Sequence, residues 1–234
     1  MIPINTPPNL EQYNFSSKTS PNGKRVYEVS PGVMYPSVTT VLGTANVEKQ
    51  AGLERWRAAV GKKRAAQVTE AACDRGTAVH ETLDVWLDNT DIDIELGDQP
   101  KEIAVPVRQI RALLKAHLSE ITLKENCLVS HTLKTAGRTD LLGVWKNKPA
   151  FIDFKTANKV KSEDDIRDYF LQATVYALCW YEMTGILVED IVIIIGNQNS
   201  FKPQVFERKI HPYIKIVQNI FTLFHESKAQ HVNN

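Results

Sequence analysis

A chain of 234 residues that is 43% apolar and 24% charged is long enough for one well-buried core and is composed like an ordinary globular protein. Its 28 basic and 27 acidic side chains leave a net charge of +1, so any role with nucleic acid must rest on local charge rather than the total. No apolar run approaches the roughly 20 residues of a membrane helix, and the three scattered cysteines (Cys73, Cys127, Cys179) exclude a disulfide framework and a cysteine-type zinc or iron–sulfur site.

The first 24 residues, rich in Pro, Asn and Ser, predict an irregular arm without the basic-then-apolar pattern of a secretory leader. Pro21-Asn22-Gly23-Lys24 signals a turn, and RVYEV after it alternates as a short strand. Lys24 and Arg25 there suit either phosphate contact or solvated surface. Ser37 is placed to cap a short helix ended by Gly43. From Val47 to Thr69 the pattern predicts one helix with Leu53, Trp56 and Val60 on its apolar side. Its other sides carry Arg55, Arg57, Lys62, Lys63 and Arg64, and the sevenfold spacing puts Arg57 and Arg64 on one face. Those cations are a solvated face or, if the chain binds nucleic acid, its phosphate contacts, joined by Arg75 further on.

ACDRGTAVHETLDVWLD (72–88) predicts an amphipathic helix in which His80 and Asp84 stack on one face. Residues 89–101 are an acidic loop without the ligand spacing of a calcium site. A helix over 105–121 and a strand over 127–133 follow. FLQATVYALCWYEMTG is a strong helix, with Gln172 and Tyr176 four apart on one side. DIVIIIG (190–196) is apolar throughout, as in a strand buried on both faces. QVFERKI is its neighbouring strand, and a closing helix from His211 leads to a frayed tail at 230–234. The fold class is therefore α/β, a mixed central sheet flanked by helices, in a single domain over 25–229.

The most informative stretch is Gly137–Lys155. Lys146-Asn147-Lys148-Pro149 joins two apolar segments into a β-hairpin that brings Asp140 alongside Asp153. Alternation puts Asp153 and Lys155 on the same face. Two carboxylates and an amine suit a hard divalent cation and a phosphate, with the Phe154 backbone carbonyl completing the ligand set.

These motifs carry a resemblance. GRTD followed by IDFKT is similar to the signature of the PD-(D/E)XK nucleases, here Asp140 and Asp153-Phe154-Lys155. RGTAVHE resembles the helix of RecB-like exonucleases in which a histidine joins the metal ligands, and LQATVYA matches their Q-x-x-x-Y motif at Gln172 and Tyr176. PSVTTVL and LERWR further resemble the branch of mitochondrial-genome-maintenance and phage-type exonucleases, so the likeness spans residues 36–182. Thr139 replaces the motif's proline.

The resemblance implies a restriction-endonuclease-like αβββαβ core and a magnesium- or manganese-dependent deoxyribonuclease with one or two ions and no iron–sulfur cluster. The implied activity is exonucleolytic, on single-stranded DNA ends, in replication, repair or recombination. A flap or structure-selective endonuclease and a non-cleaving binding module are the alternatives. By the same likeness His80, Asp140 and Asp153 hold metal, Lys155 serves catalysis, and Gln172 and Tyr176 contact the strand near the scissile phosphate. Glu125 is a further candidate acid, as are Glu81 and Asp84, and Trp56, Tyr169 and Tyr181 are candidate base-stacking or packing aromatics. The implied setting is a monomer in a bacterial or phage-infected cytoplasm, with no membrane partner.

Overall fold

The computed structural model describes residues 1–7, 15–21, 23–91 and 96–232. Its centre is a five-stranded sheet in the order β4 (Leu118–Ser130), β5 (Thr135–Trp145), β6 (Lys148–Ala157), β7 (Asp190–Asn197), β8 (Gln204–Lys209). All neighbours are antiparallel except β6 and β7, whose parallel pairing requires a crossover. That crossover is α5 (Arg167–Thr184). With α3 (Lys62–Asp88) and α4 (Lys101–His117) before the sheet, the chain runs α, three strands, α, strand. The expected mixed α/β architecture and its αβββαβ order are present.

Helices cover both faces. α1 (Val38–Ala45), α5 and α6 (His211–Val232) bury Val41, Phe170, Trp180 and Phe221 against one side. α3 and α4 bury Trp86, Ile110 and Leu114 against the other. Seven of the eight residues of β7 are buried, which explains its unbroken apolar sequence. A separate antiparallel sheet of β1 (Ser17–Thr19), β2 (Arg25–Ser30) and β3 (Val33–Pro36) packs through Tyr27 and Val29 on Cys127, Val129 and Ala136. No helix among the described residues is long and apolar enough to cross a membrane.

Several element boundaries differ from the sequence expectations. The helix expected over 47–69 is two helices, α2 (Val47–Val60) and the start of α3, broken at Gly61 with φ 84°, a value favouring glycine. None of the fourteen residues of α2 is buried, so Leu53 and Val60 are exposed rather than packed, and Arg57 and Arg64 belong to different helices. α1 continues through Gly43 to Ala45. The helix expected to reach residue 121 ends at His117, and β4 starts at Leu118. Register shifts in β4 between Leu118 and Glu120, and between Ile121 and Leu123, break the two-residue alternation that would have revealed it.

The N-terminal arm is not wholly irregular. Asn5 N–H donates to the Ile121 carbonyl at 2.8 Å and Ile121 N–H to the Pro3 carbonyl at 2.8 Å, so the first residues cover the free edge of β4. The turn expected at Pro21–Lys24 is closed by Gly23 N–H to the Ser20 carbonyl at 2.8 Å, while Asn22 lies outside the described residues. The closing helix runs to Val232 rather than fraying at 230, and residues 233–234 of the expected tail lie outside the described residues, as do 92–95 of the acidic loop.

Candidate active site

The β5–β6 hairpin turns at Lys146 and Asn147, both with positive φ (48° and 66°), the geometry of a tight two-residue connection. Pairing Leu141 with Ile152 brings Asp140 beside Asp153, as expected. Asp140 Oδ2 accepts the Phe154 N–H at 2.7 Å across the hairpin. α3 is tied over β4 by Lys124, whose ammonium meets Asp84 at 2.7 Å and Asp88 at 3.0 Å. The same helix then delivers His80. Its Nε2–H donates to the Phe154 carbonyl at 3.0 Å, and Nδ1 faces Asp140 at 3.4 Å and Glu125 at 3.8 Å.

Glu125 reaches this point through an unusual backbone. It lies inside β4, between the pairs Lys124/Leu141 and Asn126/Thr139 and so across from Asp140, with φ 49°. A non-glycine residue in the left-handed region costs on the order of 1 kcal/mol, and such outliers cluster at working sites. His80, Glu125 and Asp140 each offer a ligand atom, all within 4.8 Å of one another.

Two other residues of the expected ligand set lie beside this group. Asp153 stands outside the group: its carboxylate is buried, Oδ2 meets Lys155 Nζ at 2.5 Å, and Oδ1 has no hydrogen-bond partner among the described residues. The Phe154 carbonyl, expected as a ligand, accepts a hydrogen bond from His80. Side-chain alternation places Asp153 on the hairpin as expected, but burial directs its charge to the neighbouring ammonium.

The electrostatics follow from these contacts. Burial alone would push His80 down, but Asp140 and Glu125 outweigh it and raise the imidazole to about 10. Asp140, although buried, is held below the usual carboxylate range by His80, Lys155 and the Phe154 N–H. Burial, with Asp140 nearby, raises Asp153 to about 6 against the pull of Lys155. Burial also works against the charge of Lys155, yet Asp153 and Asp140 raise it, so the side chain is an ammonium and not a free base.

A cleft of about 460 Å³ opens over the group. Glu81, Asp84, Glu125 and Asp140 bring carboxylates to its lining, and Lys155, Arg25 and Arg138 bring cations. Gln172 and Tyr176 form the wall toward α5, the Gln172 amide donating to the Tyr176 oxygen at 3.1 Å. Burial holds the Tyr176 phenol neutral, well above its usual range, so its own O–H remains a donor. Gly137 makes room for it: a Cβ there would meet Tyr176 Cε1 at 2.9 Å and Val38 Cγ2 at 3.0 Å.

Arg55, Arg57, Lys62, Lys63 and Arg64 are exposed on α2 and the first turn of α3, outside the cleft lining among the described residues. Arg75 is half-buried and its Nε finds no partner among the described residues. Tyr169 lies under Lys155, with 5.1 Å from Nζ to its ring, so it packs the lysine rather than standing free. The sequence reading missed Arg138. Its signal was the same alternation that was used for Asp153 and Lys155, since Arg138 and Asp140 also stand two apart on one strand. Ser37 and Thr39, at the start of α1, were not foreseen in the lining either. The α1 entry is held there by Thr135 Oγ1 donating to the Pro36 carbonyl at 2.9 Å.

No family model matches this chain, and no curated protein is significantly similar to it.

Proposed function

We propose that this chain is a metal-dependent deoxyribonuclease of the PD-(D/E)XK type that hydrolyses phosphodiesters at single-stranded DNA ends. The observation that carries the proposal is the convergence of His80, Glu125 and Asp140 beside Lys155 in one cleft. Two carboxylates with one imidazole suit Mg2+ or Mn2+ better than a metal seeking thiolates. The buried, unpartnered Oδ1 of Asp153 nearby is a further unsatisfied acceptor in the same place. Glu125, Asp140 and His80, through Nδ1 once its proton is released, would hold the ion, which would supply Lewis-acid polarisation of a phosphodiester.

The chain's own side chains support the rest. The Lys155 ammonium, fixed by Asp153, faces the cleft where charge builds on a phosphate under attack. Asp153 acts here as a positioning residue, holding that ammonium in place. Arg25 and Arg138 suit the flanking phosphates, and the Tyr176 hydroxyl can donate to a phosphate oxygen.

The test is incubation of labelled linear single-stranded, linear duplex and circular single-stranded DNA with Mg2+ or Mn2+. Shortening of the linear single strand, abolished by EDTA and by Lys155→Ala, is the expected result. Cutting of the circle would move the assignment to an endonuclease. Tight binding with every substrate left intact would leave only a binding module.

A further inference from the structure

Two loops leave the sheet just past Lys155. Lys155 pairs with Ile195 and Ala157 with Asn197, so β6 and β7 end side by side about 7 Å beyond the lysine. The loop after β6 carries Lys159, Val160 and Lys161, and the turn after β7 carries Phe201 and Lys202. Phe201 is fully exposed and Val160 is 70% exposed. A single exposed apolar residue needs no explanation. Two on adjoining loops, beside three lysines, form a patch.

The two loops are tied to the sheet and to each other. Gln109 of α4 donates to the Asn197 and Ser200 carbonyls at 3.2 and 2.7 Å and accepts the Asn197 N–H at 2.8 Å. Gly196 is pressed on Pro106, where a Cβ would come within 2.6 Å. The Gln204 amide closes both the N–H and the carbonyl of Lys161 at 2.8 Å. Asn199 bridges to the Asn158 carbonyl at 3.1 Å. Of the acids further along the first loop, Glu163 pairs with Arg208 and Asp165 accepts from Ser162, while Asp164 opens the short 3-10 turn at 164–166. These bonds tie the backbone on the N-terminal side of Phe201 and the facing loop, and the ring itself projects into water.

We infer that these loops form a nucleobase-stacking platform for single-stranded nucleic acid, with Phe201 under a base and Lys159, Lys161 and Lys202 on the flanking phosphates. Sequence-tolerant strand binding uses this combination of an aromatic face and cations along the backbone. The inference rests on the proposed nuclease function and adds to it a contact just past the catalytic lysine that is distinct from the basic α2–α3 arm.

The test measures binding of the full chain in EDTA to a fluorescein-labelled oligothymidylate and to an abasic oligonucleotide of equal length. Wild type should prefer the strand that has bases. Phe201→Ala should bind oligothymidylate about 5- to 100-fold more weakly, near its affinity for the abasic strand, with its melting temperature unchanged. Phe201→Trp should retain affinity, and its indole fluorescence should be quenched on binding. Replacing the three lysines by Ala should weaken both strands alike.

Unchanged affinity and unchanged base preference in Phe201→Ala, in a protein that still degrades DNA, would overturn the platform alone. Failure of wild type to bind either strand would overturn the platform and the nuclease reading together. Loss of self-association in Phe201→Ala, with oligonucleotide affinity intact, would reassign the ring to a protein contact and overturn the platform.

Discussion

β5 and β6 carry their charged side chains on strands packed between helices, whereas α2 and the first half of α3 carry theirs with almost nothing beneath them. Asp140 and Asp153 are buried, and each is forced onto a definite neighbour: the Phe154 N–H and His80 for one, Lys155 for the other. In the helical arm, Ala65 alone of residues 47–74 is buried, and Arg55, Arg57, Lys62, Lys63 and Arg64 point into solvent. Taking a charge out of water is costly unless it is paired, so burial dictates geometry. A solvated charge meets no such demand and can serve any polyanion that passes.

The largest effect should come from breaking the packed region at its charged centre. Asp140→Asn removes the charge from one of the three converging ligands and the strongest attraction holding His80. Calorimetric Mn2+ affinity should fall by at least ~10- to 100-fold, the range seen when even an outer partner of a metal site is lost. Glu125→Gln should behave alike. A variant at either position that binds Mn2+ like wild type would show that these residues hold no cation.

Gly137→Ala tests the same region through packing. The added methyl would overlap Tyr176 Cε1 and Val38 Cγ2, neither of which is a flexible chain end. Overpacking of this kind costs ~1–3 kcal/mol, which in a chain of this size lowers the melting temperature by several degrees. Turnover should fall as well, because Tyr176 is displaced from the cleft wall. An unchanged melting curve would show that the wall gives way easily.

The difference between the two regions also explains how much was legible in the sequence. The hairpin, its turn and the Asp140/Asp153 juxtaposition were legible because alternation and turn chemistry are local and the sheet enforces them. The apolar run of β7 announced a central strand for the same reason. Glu125 was legible only as a candidate just before a strand. Its inward direction depends on a left-handed backbone within a bulged strand, which no periodic pattern encodes. Asp153 was legible on its strand, but its 2.5 Å ion pair with Lys155 was not, because that contact is decided by burial in three dimensions. The break at Gly61 was missed because a glycine within a helical pattern is as often tolerated as it is a stop.

The exposed arm is tested by reversing Arg57, Lys63 and Arg64 to Glu. With nothing packed beneath them, the melting temperature should stay within about 1 °C of wild type, as for surface substitutions generally. If the three cations meet phosphates, the slope of log affinity against log salt should become shallower by about 2, since each single-strand contact contributes ~0.7. An unchanged slope would mean that the arm is solvated surface and makes no phosphate contact.

The smallest effect belongs to the exposed rim of the packed region. Glu182, near the end of α5, closes the β4–β5 turn: its carboxylate accepts from Ser130 Oγ at 2.5 Å, His131 N–H at 2.9 Å and Thr132 N–H at 3.2 Å. Partial burial works to raise its pKa, but these donors prevail and hold it below the usual glutamate value of 4.5. A carboxylate depressed in the folded state stabilises above its unfolded pKa, and that contribution is lost as pH falls through the folded one. Glu182→Gln should therefore cost ~0.5–1.5 kcal/mol at neutral pH, the modest value expected of solvent-screened hydrogen bonds. The gap between wild type and variant should narrow as the pH drops below about 4.5, read from urea midpoints across a pH series. A gap that stays constant down to acid pH would show that the amide loses shape complementarity with the turn rather than charge. The turn would then be held by geometry alone, as solvated charges on the arm are not.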